Sequence, residues 1–411
     1  MCAAVRAADN WPAWRGPTGD GHATQQQLPL NWSSSEGHRW KVELEGVGHA
    51  SPIIWQNHLF VVNCLPATEQ RLLLAFDRTS GAKLWQREVL KSPLETKHSL
   101  NSYASSTPAT DGESVFVTFL ASSDQKVPAP NVSQPRDVTL GEMVVAAYDF
   151  QGQQRWLVRP GPFVSVHGYC SCPVLFENLV IINGDHDGDS YLVALDKHTG
   201  QEVWKVAREH KTRSYVTPII RNFGGRTQMI LSGSHSVTSY DPRSGKLLWY
   251  MDGPTEQFVA SMVDDGQRVF LTAGFPDRHI LAIDPTGSGN VTDSHILWRS
   301  KRNCAYVPSP IVVGKYFLLT SDDGIASCYD CVSGERLWFV RLGNHYSTSP
   351  IATESLVYFT ADNGVTKVIR PGPQFELVAE NALGEECYAS PAASHNCLFF
   401  RTTGHLMCVG Q

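Results

Sequence analysis

The sequence predicts an all-β protein: an eight-bladed β-propeller of four-stranded antiparallel blades, closed by an N-terminal strand that completes the last blade. Three observations carry this. An Asp, Gly and Trp motif recurs six times in one order, an aromatic or His ahead of Ser/Thr-Pro recurs eight times in phase with it, and the two chain ends each hold part of a final unit. A fixed period of roughly 40 to 50 residues marks an array, solenoid or propeller, and it outranks local patterns.

The first element is a hairpin. Its regular copies are Asp77/Gly81/Trp85, Asp196/Gly200/Trp204, Asp241/Gly245/Trp249 and Asp330/Gly334/Trp338; Asp149/Gly152/Trp156 is one residue shorter and Asp284/Trp298 carries an insertion. Alternating Leu72, Leu74 and Phe76 predict a half-buried strand. The Asp side chain bonds turn amides, Gly supplies the positive φ, and Trp opens the return strand, where it packs on a neighbouring unit.

The second element opens each unit. His49, Tyr103, Tyr215, Tyr306, Tyr346 and Tyr388 precede Ser51-Pro52, Thr107-Pro108, Thr217-Pro218, Ser309-Pro310, Ser349-Pro350 and Ser390-Pro391, with Tyr169 before Cys172-Pro173 and Phe258 before Ser261-Met262 as variants. One further strand, such as Leu59 to Val62, separates this element from the Asp-Gly-Trp hairpin, which makes four strands per unit. Seven units are complete, the seventh with a weak last strand near Phe375 to Ala379, and the eighth ends after three strands. Arg39 to Leu44, which contains Trp40, supplies the missing strand, and its pairing removes the exposed edges.

These residues resemble the eight-bladed propellers of the pyrroloquinoline quinone-like repeat superfamily, which share the Ala-x-Asp-x3-Gly-x3-Trp motif. The resemblance covers Trp40 to Gln411, and the stretch Asn10 to Gly21 is similar to the opening of exported planctomycete-type repeat proteins, mostly of unknown activity. It implies the fold strongly and the function weakly. An outer-membrane assembly lipoprotein of the same fold is a precedent for an envelope binding or scaffold module. The quinoprotein dehydrogenases would imply a quinone held between a Trp and an adjacent-cysteine disulfide, calcium on carboxylate and amide ligands, and an Asp base. This chain has no adjacent cysteines and its motif Trp residues lie on outer strands. Pyrroloquinoline quinone is therefore not expected, and no cofactor is assigned.

Composition narrows the classes further. The expected organisation is a signal stub and arm over residues 1–37 and one propeller over 38–411. A net charge of −6 with no Lys/Arg run argues against nucleic acid or an anionic membrane as partner. No apolar stretch approaches a transmembrane span. Met1 to Asp9 ends like a cleavage site without the apolar region that precedes one, which points to a truncated signal peptide and a periplasmic or otherwise exported protein. The ten cysteines are read mainly as buried small hydrophobes, and a monomer is expected.

The aromatic element places a ring at one mouth of the central channel. A funnel of this kind suits a polar small molecule or a protein segment. The candidate ligand-binding residues are His49, Tyr103, His167, Tyr169, Arg213, Tyr215, Arg302, Tyr306, His345, Tyr346, Glu386 and Tyr388. The histidines and arginines among them are not demanded by the repeat. Repeated Tyr residues also suit packing between blades. An insertion from Ala121 to Gly141 falls on the same face and reads as a lid. Asp185, Asp187 and Asp189 resemble the front of an oxygen-ligand loop, so calcium is the metal this turn suggests; His167, Cys170, Cys172 and His186 are a zinc alternative. Glu256 and Glu386 are the carboxylates weighed for a glycan-active enzyme. No catalytic residue is assigned.

Overall fold

Strand Gln70–Asp77 shows how the sequence becomes a blade. Its apolar run is buried on both faces, from Leu72 through Leu73, Leu74 and Ala75 to Phe76. The alternation predicted a half-buried strand. The difference arises because each blade is sandwiched between two others, so its middle strands have no solvent face.

The computed structural model describes residues 9–24, 26–233 and 235–410, and the expected signal stub, Met1 to Asp9, lies outside the described residues except for Asp9. Eight sheets are arranged as blades around a ring, antiparallel but for the short strand Gly289–Asn290, which pairs parallel to the outer strand of blade four. Blade one runs Ile53–Trp55, His58–Leu65, Gln70–Asp77 and Lys83–Lys91. Blade seven ends with Glu376–Ala382, and blade eight joins Ala392–Ser394, Cys397–Arg401 and His405–Val409 to His38–Glu43. The closure is as expected: Trp40 lies opposite Cys408 and Val42 opposite Leu406, and the Leu44 amide donates to Gly404. No helix among the described residues is long and apolar enough to cross a membrane.

The motif residues act between blades as well as within the turn. Asp77 Oδ1 accepts the Thr79 and Ser80 amides at 3.0 and 2.7 Å. Each motif Trp donates its indole N–H to a carbonyl in the next blade's turn: Trp40 to Arg78, Trp85 to Phe150, Trp156 to Lys197, Trp204 to Pro242, Trp249 to Pro285, Trp298 to Cys331 and Trp338 to Gly372, at 2.8–3.1 Å. Gly81 has φ 73°, and a Cβ there would lie 2.7 Å from the Trp40 ring. The glycine is thus required twice, for its turn and for the indole of the preceding blade. A β-bulge recurs just before the Trp, as between the pairs Ala75 with Trp85 and Phe76 with Lys83. It leaves Leu84 47%, Val203 52% and Leu297 49% exposed at the perimeter. Bulges of this kind disrupt the outer ladder and blunt the edge strands.

Blade seven has no Trp on its outer strand, and the N-terminal arm supplies one. Trp32 is buried at the seam of blades seven and eight, 5.9 Å from the Phe400 ring, and its amide donates to Asn381 Oδ1 at 2.9 Å. Further upstream the arm lies across the channel. Trp11 exchanges two backbone bonds with Ile54 of blade one, Thr110 of blade two donates to Pro12, and the Ala23 amide donates to Ala352 of blade seven. Arg15 Nη2 donates to Pro310 of blade six at 2.7 Å, and Arg221 of blade four donates to Thr18 at 2.8 Å. These partners sit on or beside the inner strands, so the arm stoppers one end of the channel.

Candidate functional site

The Ser/Thr of the repeated element builds the narrow part of the funnel. The Ser51 amide donates to Thr107 Oγ1, Cys172 to Thr217 Oγ1, Thr217 to Ser261 Oγ, Ser261 to Ser309 Oγ, Ser309 to Ser349 Oγ and Ser349 to Ser390 Oγ, at 2.9–3.2 Å. In blade three the sulfur of Cys172 takes the hydroxyl's place and accepts the Thr107 amide at 3.3 Å. This circumferential chain explains why a short polar residue recurs before each inner strand: it satisfies a buried amide of the neighbouring blade.

Above that ring is a cavity of about 460 Å³, within the usual range for small-molecule sites. Its floor includes Trp14 of the arm. Of the candidate residues it brings together His49, His167, Tyr215, Tyr306, His345 and Tyr388. His49 stacks on Tyr388 with centroids 4.9 Å apart, and His167 lies 6.0 Å from Tyr215. Burial, reinforced by the Arg401 guanidinium, lowers the His49 imidazole to about 4; burial and Arg213 lower His167 to about 3. Both rings are therefore neutral at pH 7. His345 is the exposed member, its Nδ1 2.6 Å from Asp362 Oδ2.

The other candidates do not line this cavity. Tyr169 and Tyr346 are 5% and 0% exposed and pack between blades. Tyr103 is half-buried with Lys97 over its ring, Glu386 is exposed and accepts the Tyr388 hydroxyl, and Arg302 is exposed with its carbonyl accepting from Tyr329. Arg213 is buried: its guanidinium pairs with Asp187 at 2.9 Å. A turn that departs from the repeat here serves packing, because its carboxylates and the facing cations neutralise one another.

The same pairing corrects the metal reading. Asp185 pairs with Arg208 at 2.9 Å, Asp187 with Arg213, and Asp189 with Lys211 at 2.6 Å, so the three carboxylates are divided among three cations. No cluster of three or more His, Cys, Asp or Glu suited to a metal occurs among the described residues, and the zinc alternative does not assemble: His186 Nδ1 accepts the Gly188 amide while Cys172 serves the hydroxyl ring. The described cysteines are unpaired, and all but Cys170 are buried.

The insertion is a β-ribbon, not an irregular lid. Strands Ser114–Pro128 and Asp137–Asp149 pair along its length, and Asn131 near the tip donates to the Lys211 carbonyl at 2.5 Å. It flanks the mouth and contributes nothing to the cavity lining.

Among the lining residues that escaped sequence reasoning are Trp14 and Asp322. Trp14 lies outside the repeat and carries no periodic signal. Asp322 accepts the Tyr306 and Val307 amides at 2.8 and 3.0 Å. It had a signal: Thr320-Ser-Asp-Asp-Gly324 and Thr360-Ala-Asp-Asn-Gly364 are copies of one turn.

Comparison with known proteins agrees with this architecture. The family model described as outer membrane protein assembly factor BamB matches residues 30–134 and 130–273, more than half of the chain. BamB from Moraxella catarrhalis superposes with a TM-score of 0.62 at 12% identity, over 91% of this chain and 97% of that one. The quinohemoprotein alcohol dehydrogenase from Comamonas testosteroni gives 0.64 at 12% identity, over 99% and 82%. The computationally designed Ika8 protein gives 0.59 at 14%, over 90% and 98%. At such identities these structures speak for the fold alone. No curated protein sequence matches the chain.

The funnel does not fit a quinone cofactor of the dehydrogenase type. Cys170 and Cys172 are separated by one residue, so no adjacent-cysteine disulfide faces the cavity. Asp322 is the only carboxylate among the lining residues, and both its oxygens accept backbone amides, which leaves no set of oxygen ligands for calcium.

Proposed function

The chain belongs to the outer membrane protein assembly factor BamB family, and from that premise we propose that it is an exported, envelope-associated binding or scaffold propeller. Its funnel takes a polar small molecule or a short segment of a protein partner, with the ring acting as a monomer. One observation carries the reading. The arm stoppers one end of the channel, so the about 460 Å³ cavity opens only toward the face that collects His49, His167, His345 and the half-buried Tyr306 and Tyr388. A blind, aromatic-walled pocket with a few convergent polar groups is the usual form of a ligand site. A solid scaffold has no need of one.

Ligand-dependent stabilisation tests this. Compounds or peptides that bind raise the melting temperature of the wild-type chain by mass action. In His345→Ala and Tyr388→Ala, both on the mouth and only partly buried, that rise is expected to shrink while the unliganded melting temperature stays close to wild type. A ligand whose effect survives both substitutions and is lost on altering the Asp77 to Gly81 turn overturns the assignment.

A further inference from the structure

The funnel offers aromatic faces and uncharged polar groups, and almost no usable charge. Trp14 forms the floor, with the Arg15 guanidinium 5.8 Å from its ring centroid, and Tyr306 and Tyr388 stand in the wall. Both Asp322 oxygens are already bonded to amides. Arg278, the one lining guanidinium, is exposed at the rim. His49 and His167 are neutral. An anionic group carried to the floor would find no fixed cation at that depth and would bear its desolvation cost unpaired. A cationic one would meet a single carboxylate, that of Asp322, which two backbone amides already hold.

What the site can satisfy is a ligand with many hydroxyls and apolar C–H faces. The oxygens of Ser309 and Ser349 accept neighbouring amides in the ring, and that ring does not use their O–H donors, whereas the hydroxyls of Thr107 and Thr217 are engaged with the Cys172 sulfur. A hydroxyl keeps a donor and a second lone pair after accepting one bond. Pyranose rings present alternating donors and acceptors around an apolar face that stacks on an aromatic plane.

We propose that the funnel binds a neutral saccharide, a mono- or disaccharide end of a glycan, seated against Trp14. This rests on the reading of the funnel as a ligand site. The proposal concerns binding: Glu256 and Glu386, the carboxylates weighed for glycosidic chemistry, are both outside the cavity lining.

Titration calorimetry and intrinsic fluorescence on the full chain test it, with maltose, cellobiose and diacetylchitobiose as probes. A glucuronate disaccharide and acidic and basic pentapeptides are the charged comparators. At least one neutral disaccharide is expected to bind, more tightly than every charged probe. Trp14→Ala is expected to weaken it roughly tenfold, as loss of an aromatic contact implies, with Trp14→Phe retaining most of the affinity. Arg302→Ala, on the rim and outside the lining, leaves it unchanged. If a charged probe binds best, with sensitivity to Tyr388→Ala, the saccharide assignment falls and the ligand site stands. If saccharide binding ignores both Trp14→Ala and Tyr388→Ala, it lies elsewhere and the proposal fails. If no probe binds, the saccharide assignment falls, while stabilisation by other compounds through His345 and Tyr388 still decides the broader reading.

Discussion

Arg213 and Arg302 read alike in sequence, both basic residues breaking a repeat, yet their surroundings separate them. Arg213 is 4% exposed and ion-paired with Asp187, which pairs with no other cation among the described residues, whereas Arg302 is exposed. Breaking a buried pair leaves an uncompensated charge, so Arg213→Ala is expected to cost about 3 kcal/mol in urea unfolding. Arg302→Ala is expected to stay within about 0.5 kcal/mol of wild type. Cys172 makes a second residue-scale case. Since six other blades use a hydroxyl where it uses sulfur, Cys172→Ser is expected to change stability by less than about 1 kcal/mol, whereas Cys172→Val strands the Thr107 amide and costs about 1–3 kcal/mol. His49 links the site to pH. Its imidazole is held at about 4 against an ordinary 6.5, so the unfolded chain takes up the proton first. Its contribution to stability is complete above pH 6.5 and is lost as pH falls toward about 4. The melting temperature of His49→Gln is expected to fall less than that of wild type across that window.

At the scale of the element, the closing strand is held by more than its ladder. Lys41 on that strand lies 2.6 Å from Glu385, and His405 on its partner strand lies 2.8 Å from the same carboxylate. Burial opposes ionisation of Glu385, but the bonds from Lys41, Thr402 and His405 prevail and bring its carboxyl down to about 2 from 4.5. A carboxyl lowered in the folded state stabilises fully above its unfolded value, and that support is lost as pH falls from 4.5 toward about 2. Glu385→Gln is expected to flatten this acid limb, read as melting temperature against pH. The inter-blade indole bonds offer an independent test. Trp298→Phe keeps most of the ring and removes the donor to Cys331, so a loss of about 1 kcal/mol is expected, together with the cost of a smaller ring beneath Gly334.

For the whole molecule the arm matters twice, as a stopper and as a seam. Trp11, Arg15, Ala23 and Trp32 tie blades one, six, seven and eight to one continuous segment. Deleting residues 1–45 removes these ties and the closing strand together, leaving a three-stranded blade eight with an apolar edge, and cooperative unfolding is expected to be lost. Deleting residues 1–32 alone separates the two roles. The ring stays closed by Trp40 to Leu44, so a folded protein with a lowered melting temperature and a channel open at both ends is expected. Hydrogen exchange at Ile54 and Ala352, whose amides the arm now covers, reports that opening. Unchanged protection at both amides would mean that the arm does not stopper the channel.

The blade count, the four-strand unit, the hairpin role of Asp77 and its counterparts, and closure by Trp40 were legible in the chain because a repeat writes the same local physics many times. Each copy states the same turn, and the missing strand at one end has only one counterpart at the other. What the repeat leaves open is direction. His49, Tyr215, Tyr306 and Tyr388 turn into the funnel while Tyr169, Phe258 and Tyr346 turn between blades, and nothing in the motif separates them. That choice depends on the space each neighbouring blade leaves. Asp187 and Arg213 met for the same reason, across 26 residues and at the end of two different turns. Trp14 belongs to no repeat at all. Its place at the floor of the funnel follows from where the closed ring leaves a channel to fill, which exists only once eight blades have met.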